Sequence, residues 1–388
     1  MRISKTKNLL FFLVMVTTLV MYIPVIYNSG LYGILRYFLF VLMAGVVIMT
    51  FKWSTLISHG FTRSIGAIFL FIIIEFLLFY AFQLNYVAGD FVQIFIVLMM
   101  IMAGTNSSLD EKAFLKLCSF YSIGTIAIGI IAVSSYLGAF SVAINAYAIE
   151  GKNQVGAIVA FGTGIAFYLS QTLNKSKKKN YFLIVSIVGI ALSLVIRCRT
   201  ATVGLMLFVL YMLAHNWTAK QKMIFAFFAI VLYIGFFNRV NEFLADVFLG
   251  DKDIEVSVDQ ADFLNQVSTS RFERNEMAFL FLREHLFFGE LTDLSGIPLI
   301  HNYVILRLTR YGLLSLPLLI VYFIFVVKCI KSLLKGNLRL FNMGWILLII
   351  PLFCSLLEPS APFGPGTVQL MPYFLCGIAL KNESRNVI

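Results

Sequence analysis

Almost the whole chain is a succession of apolar runs, each about as long as a membrane-crossing helix and divided from the next by short polar punctuation. Crossing roughly 30 Å of hydrocarbon takes about 20 helical residues at 1.5 Å each. Inside hydrocarbon every backbone N–H and C=O has to be paired within the protein, so only helices or closed barrels span it. A barrel would alternate apolar and polar residues in segments of about ten. These runs are unbroken instead. With 60% hydrophobic and 13% charged residues and a mean hydropathy of +0.91, an ordinary soluble protein is excluded.

Apolar runs fall near 9–27, 31–51, 65–82, 87–104, 117–137, 154–173, 181–196, 201–214, 222–237, 303–327, 341–357 and 363–380. The expected fold is therefore all-α: a polytopic integral membrane protein of about twelve transmembrane helices. Residues 1–237 hold the first nine spans, 238–300 form one large extracytoplasmic loop with short helices, and 301–388 hold the last three. The first run lacks a small-residue cleavage signature and reads as an uncleaved helix. Cys118, Cys198, Cys329, Cys354 and Cys376 are scattered, mostly in apolar runs, and indicate neither a disulfide frame nor a zinc site.

Lys and Arg in short loops are retained on the cytoplasmic side. With the N-terminus inside, that side collects 19 of the 30 basic residues against 3 acidic ones, including Lys175, Lys177, Lys178, Lys179 and Lys328, Lys331, Lys335, Arg339. Both termini of this multi-pass protein are then cytoplasmic. The net charge of +11 is a topology signal, and no nucleic-acid partner is inferred from it. The two basic residue types also separate. Of 17 Lys, 15 are cytoplasmic, whereas 9 of 13 Arg (Arg36, Arg197, Arg199, Arg239, Arg271, Arg274, Arg283, Arg307, Arg310) lie outside or in the outer half of a span. Guanidinium forks onto carboxylate or phosphate oxygens as an ammonium does not. An Arg-rich outer face suits a phosphate-bearing ligand held at the membrane, although some of these residues have acidic partners available in the loop.

Several segments have the means for chemistry. Arg197 and Arg199 sit at the mouth of two short spans, where a charge costs roughly 2.5–3.5 kcal/mol at mid-bilayer and less near the interface; Thr200 and Thr202 offer further donors. Snorkelling to headgroups is the structural alternative. Ser270-Arg271-Phe272-Glu273 is a capping-box pattern that predicts a helix starting at Arg271, with Phe272, Phe279, Leu282 and Leu286 on one face as far as Gly289. Arg271 and Arg274 oppose the helix dipole there unless an anion joins them, although Glu273 and Glu276 are also at hand. His301-Asn302 opens the tenth span, and Arg307 and Arg310 follow about one turn apart on it. An imidazole at that boundary is a structural hydrogen-bonder or a proton acceptor near pH 7. Arg36 and Glu75 fall at similar depths and suggest an intramembrane ion pair. Lys152-Asn153-Gln154-Val155-Gly156 and Glu358-Pro359 are outer polar patches able to line a cavity.

Phosphate-loop, HExxH and GxSxG motifs are absent from the sequence, so nucleotide hydrolysis, zinc proteolysis and use of nucleotide sugars lack residues to support them. The leaving group of an enzyme on the outer side should be carried by a lipid.

The order of these pieces resembles the O-antigen ligase and Wzy-type polymerase superfamily, which joins oligosaccharides carried on undecaprenyl pyrophosphate at the outer side of the inner membrane. The likeness lies in Lys152-Asn153-Gln154, in Arg199-Thr200-Ala201, in Ser270-Arg271 through Glu284-His285-Leu286-Phe287-Phe288-Gly289, and in His301-Asn302 followed after nine residues by Gly312. Arg310, Ser315 and Leu286 depart from its usual residues. The resemblance implies that Arg199 and Arg271 hold the pyrophosphate and that His301 acts on the acceptor hydroxyl. Arg197, Arg274, Arg307, Arg310, Asn302, Lys152, Asn153 and Glu358 are the expected substrate-binding residues. The expected function is a metal-independent, cofactor-free glycosyltransferase that polymerises lipid-linked repeat units of capsule, exopolysaccharide or O-antigen. Membrane lipid, a flippase and a chain-length regulator are its expected partners. A ligase handing finished polysaccharide to another acceptor, and a transporter or flippase of lipid-linked oligosaccharide, also fit the outer arginines. Reporter fusions should place positions near Lys178 and Lys335 inside and positions near Asp259 outside; an external Lys178 would overturn this orientation.

Overall fold

The computed structural model describes residues 2–50, 70, 73–75, 77, 80, 88–107, 109–135, 152–174, 176–196, 198–235, 271–291, 300–336, 338–358 and 370–385. Among them there is no strand. Helices occupy the expected apolar runs: Arg2–Val20, Leu31–Thr50, Ala88–Thr105, Glu111–Ser135, Lys152–Thr172, Ser176–Ile196, Arg199–Asn216 and Ala219–Gly235, then Leu316–Lys335 and Leu370–Arg385. Four stretches, Glu111–Ser135, Asn153–Thr172, Ser176–Ile196 and Tyr303–Lys335, are long and apolar enough to cross a membrane. Most of the third expected span (65–82) and most of the expected loop (238–300) lie outside the described residues.

What these helices expose is as informative as their length. Along Leu316–Lys335 the side chains of Leu316, Ile320, Phe323, Val327, Ile330 and Leu334 follow one another at intervals of three and four, and each is exposed. Leu31, Ile34, Phe38 and Val41 do the same on Leu31–Thr50. In water, apolar stripes of this size are an aggregation liability. In lipid they are the ordinary outer surface, because acyl chains are as apolar as leucine. The fold is that of an all-α membrane protein.

The chain divides into two compact units. One comprises Leu19–Tyr32 and Leu115–Glu255. Its central element is Lys152–Thr172, most of which is buried, with Ser176–Ile196 and Arg199–Asn216 packed on it. The other comprises Met1–Thr18, Gly33–Phe114 and Val256–Ile388. Here Ala88–Thr105 and Leu370–Arg385 cross so closely that a Cβ on Gly104 would overlap the Phe374 carbonyl, and one on Gly377 the Ile101 carbonyl. Small residues at a crossing let two backbones approach, which replaces the missing hydrophobic drive between helices in lipid.

The expected tenth span, 303–327, is two pieces. Tyr303–Tyr311 is a separate nine-residue helix that stops at Gly312 (φ 58°, ψ −143°); a 3₁₀ turn, Gly312–Ser315, leads to Leu316–Lys335. The reason is length as well as backbone: the 20 residues of Leu316–Lys335 already extend about 30 Å. Arg307 and Arg310 therefore belong to a short helix preceding a full-length one, and not to the interior of a continuous span. The expected Arg36–Glu75 pair is also corrected. Among the described residues no ion pair joins them: the Arg36 guanidinium lies 5.8 Å from the Phe40 ring centroid, and Glu75 Oε2 is buried without a hydrogen-bond partner.

Candidate functional site

Candidate residues gather in one group within each unit. In the unit built on Lys152–Thr172, the start of that helix meets the start of Arg199–Asn216. The Cys198 thiol lies 3.8 Å from both the backbone carbonyl and Oδ1 of Asn153. A Cβ on Gly156 would overlap Cys198 Cβ, so only glycine lets the Cys198-Arg199 segment seat there. Neither helix has an acidic residue in its first turn, and their first residues are Lys152 and Arg199. Two adjacent helix N-termini with basic first residues suit an anion. Arg199 is half-buried and Asn153 exposed; Arg197 lies outside the described residues, and Lys152 is described in its backbone only. Thr200 and Thr202 do not serve as free donors. Both are buried; the Thr202 hydroxyl donates to the Ser193 carbonyl (3.0 Å), and Thr200 Oγ1 is 3.9 Å from Cys198 Sγ.

The second group is built on the helix Arg271–Glu284, which starts where the capping pattern predicts, with Glu273 in its first turn. The residues expected on one face of this helix do not share one environment. Ala278 and Leu282 are buried, whereas Phe279 and Leu286 are exposed. Ala278 packs with Ile300, Leu306 and Ile305, which fixes this helix against Tyr303–Tyr311. Arg274 is half-buried, and the Arg271 side chain lies outside the described residues. Asn275, not expected from the sequence, has a buried Oδ1 without a hydrogen-bond partner among the described residues. Leaving such a group unsatisfied costs about 1–3 kcal/mol.

Asn302 caps the helix Tyr303–Tyr311: its Oδ1 accepts from the Ile305 N–H at 3.1 Å. Its Nδ2 donates to the Leu356 carbonyl at 3.2 Å, two residues before the half-buried Glu358. The nine residues between Asn302 and Gly312 are thus a helix with a cap at each end. His301 precedes the cap, half-buried, with Nδ1 shielded from solvent. Arg307 is only 3% exposed, which rules out snorkelling, and its guanidinium lies 4.9 Å from the Tyr303 ring centroid. Tyr303 in turn lies 5.4 Å from Tyr322 of Leu316–Lys335, whose hydroxyl bonds Ser355 Oγ (2.8 Å).

The turn 286–291 closes this group. Gly289 (φ 57°) and Gly312 (φ 58°) meet backbone to backbone: a Cβ on Gly289 would overlap the Thr309 carbonyl, and one on Gly312 the Leu286 carbonyl. The Leu313 N–H donates to that same Leu286 carbonyl at 2.9 Å. Glu290, in the 3₁₀ turn Gly289–Leu291, is brought near Arg310: burial raises its carboxyl above the usual range, and the Arg310 charge partly offsets this.

No family model, curated protein or solved structure matches the chain.

Gly156→Ala should lower thermal stability in detergent by about 1–3 kcal/mol through overpacking. Cys198→Gly in the same chain removes the opposing Cβ at a cap position that tolerates glycine, and should recover most of the loss. Additive losses in the double variant would contradict the contact.

Proposed function

We propose that the chain is a polymerase of surface polysaccharide, joining repeat units carried on undecaprenyl pyrophosphate at the outer face of the bacterial cytoplasmic membrane, with about twelve spans and both termini inside. The observation that supports this best is the packing of the helix Arg271–Glu284 against the His301–Gly312 segment through Ala278, Ile300 and Leu306. That packing places an Arg-bearing helix, a boundary histidine and two further arginines in one structural group. Such a group has the residue types needed to bind a diphosphate and to take a proton.

In this reading the growing chain on lipid pyrophosphate is the donor. A hydroxyl of a single lipid-linked unit attacks the anomeric carbon, the bond from that carbon to the pyrophosphate oxygen breaks, and lipid pyrophosphate leaves with the electron pair. Arg199 and Arg271 stabilise the charge developing on it, as oxyanion donors do. Arg274, Arg310 and Lys152 supply further positive charge, and Asn153 and Glu358 contact the sugars. The acceptor proton passes to His301, whose place is set by the Asn302 cap and its tie to Leu356. The buried Arg307 supports the short helix through Tyr303.

Arg199→Lys and Arg271→Lys keep the charge and lose the fork. Each should cost on the order of 2 to 4 kcal/mol at the transition state, seen as short or absent polymer on a gel at normal membrane protein level. His301→Gln should also abolish polymer while leaving lipid-linked substrate binding within a few-fold, because a base acts in the transition state. Long polymer from both lysine variants would refute the pyrophosphate role, and long polymer from His301→Gln would remove the histidine as base.

A further inference from the structure

The turn after the helix Arg271–Glu284 carries three consecutive large apolar side chains, Leu286, Phe287 and Phe288, exposed by 45%, 65% and 48%. They do not belong to the core of their own segment, which is formed by Ala278 and Leu282. A single exposed apolar residue is unremarkable, but a contiguous group marks a surface that something covers.

The position of the turn identifies what covers it. The Leu286 carbonyl accepts the Leu313 N–H, and the backbone of Leu286 and Phe287 rests on Gly312. Gly312 is one short turn before Leu316, where the exposed stripe Leu316, Ile320, Phe323, Val327, Ile330, Leu334 begins. The turn that carries the three side chains therefore lies by its backbone near the end of the helix where the stripe begins, opposite Lys328, Lys331 and Lys335. The charges agree with this. The exposed Arg283 and Glu284 flank the apolar group, placing a guanidinium within one turn of it, while the exposed Glu273 and Glu276 lie toward the far end of the helix. A cation beside an apolar wedge is the pattern of a segment lying in the headgroup boundary.

We propose that Leu286-Phe287-Phe288 is a membrane wedge, inserted among the acyl chains of the leaflet next to the start of Leu316–Lys335. The wedge holds the Gly289–Gly312 crossing, and with it the His301 helix, at the lipid surface. The occupant is bilayer lipid, since the patch continues a lipid-facing stripe of the same unit. This inference rests on the membrane fold and not on the polymerase reading, so either can fail without the other.

The test uses the full chain in phosphatidylethanolamine and phosphatidylglycerol vesicles. All five native cysteines are buried, so a nitroxide directed at Phe287→Cys labels the new thiol. Phe288→Cys gives a second position, Phe323→Cys a lipid reference and Glu276→Cys an aqueous one. The ratio of oxygen to aqueous nickel-complex collision rates at 287 and 288 should approach that at 323 and exceed that at 276 several-fold. A ratio at 287 and 288 equal to that at 276 would overturn the proposal. Low collision rates with both reagents would also overturn it, because the turn would then be covered by protein.

Discussion

The close approach of Gly289 to Gly312 is the constraint on which the site-bearing segment depends. Both residues hold positive φ, where another L-residue would cost on the order of 1–3 kcal/mol, and both face carbonyl groups that leave no room for a Cβ. The contact stops the helix Tyr303–Tyr311, turns the chain into Leu316–Lys335 and ties the turn after Arg271–Glu284 to the start of Leu316–Lys335 through the Leu286–Leu313 hydrogen bond. A continuous helix from 303 to 335 would run about 50 Å, far beyond the hydrocarbon thickness. The break divides it into one span and one short helix with its own capping.

Placing arginine in so apolar a chain demands specific neighbours. Arg307 lies against the Tyr303 ring, where a desolvated cation–π contact contributes about 2 kcal/mol. Arg310 has Glu290 nearby, and Arg36 lies over Phe40. Aromatic faces and a loop carboxylate thus take the place of a pair between spans. At Arg307 and Arg36 a planar, weakly hydrated guanidinium is well suited to lie against an aromatic ring.

Much of the fold was legible in the sequence because hydrocarbon imposes one length on its helices. The start of the helix at Arg271 was legible in its capping pattern, and the Asn302–Gly312 spacing became intelligible as a capped helix once its ends were seen. Other features left no such trace. Hydropathy carries no information about φ, so 303–327 read as one unbroken span. Periodicity marks an apolar face but not what covers it: Phe279 and Leu286 share the expected face with Leu282, yet Leu282 and Ala278 are buried and the other two exposed. Thr200 and Thr202 looked like ligand donors because their buried partners, Cys198 and the Ser193 carbonyl, are set by packing. The Gly156–Cys198 contact joins positions 42 apart whose meeting only the fold reveals.

We propose that this protein makes glycosidic bonds from lipid-linked donors. Purified full-length protein in vesicles, incubated with undecaprenyl-pyrophosphate-linked repeat units of its own cell's polysaccharide, tests it most directly, with products resolved on a gel. The expected result is a ladder of lengthening products and release of undecaprenyl pyrophosphate in step with each added unit. Intact repeat units with no new glycosidic bond would contradict it.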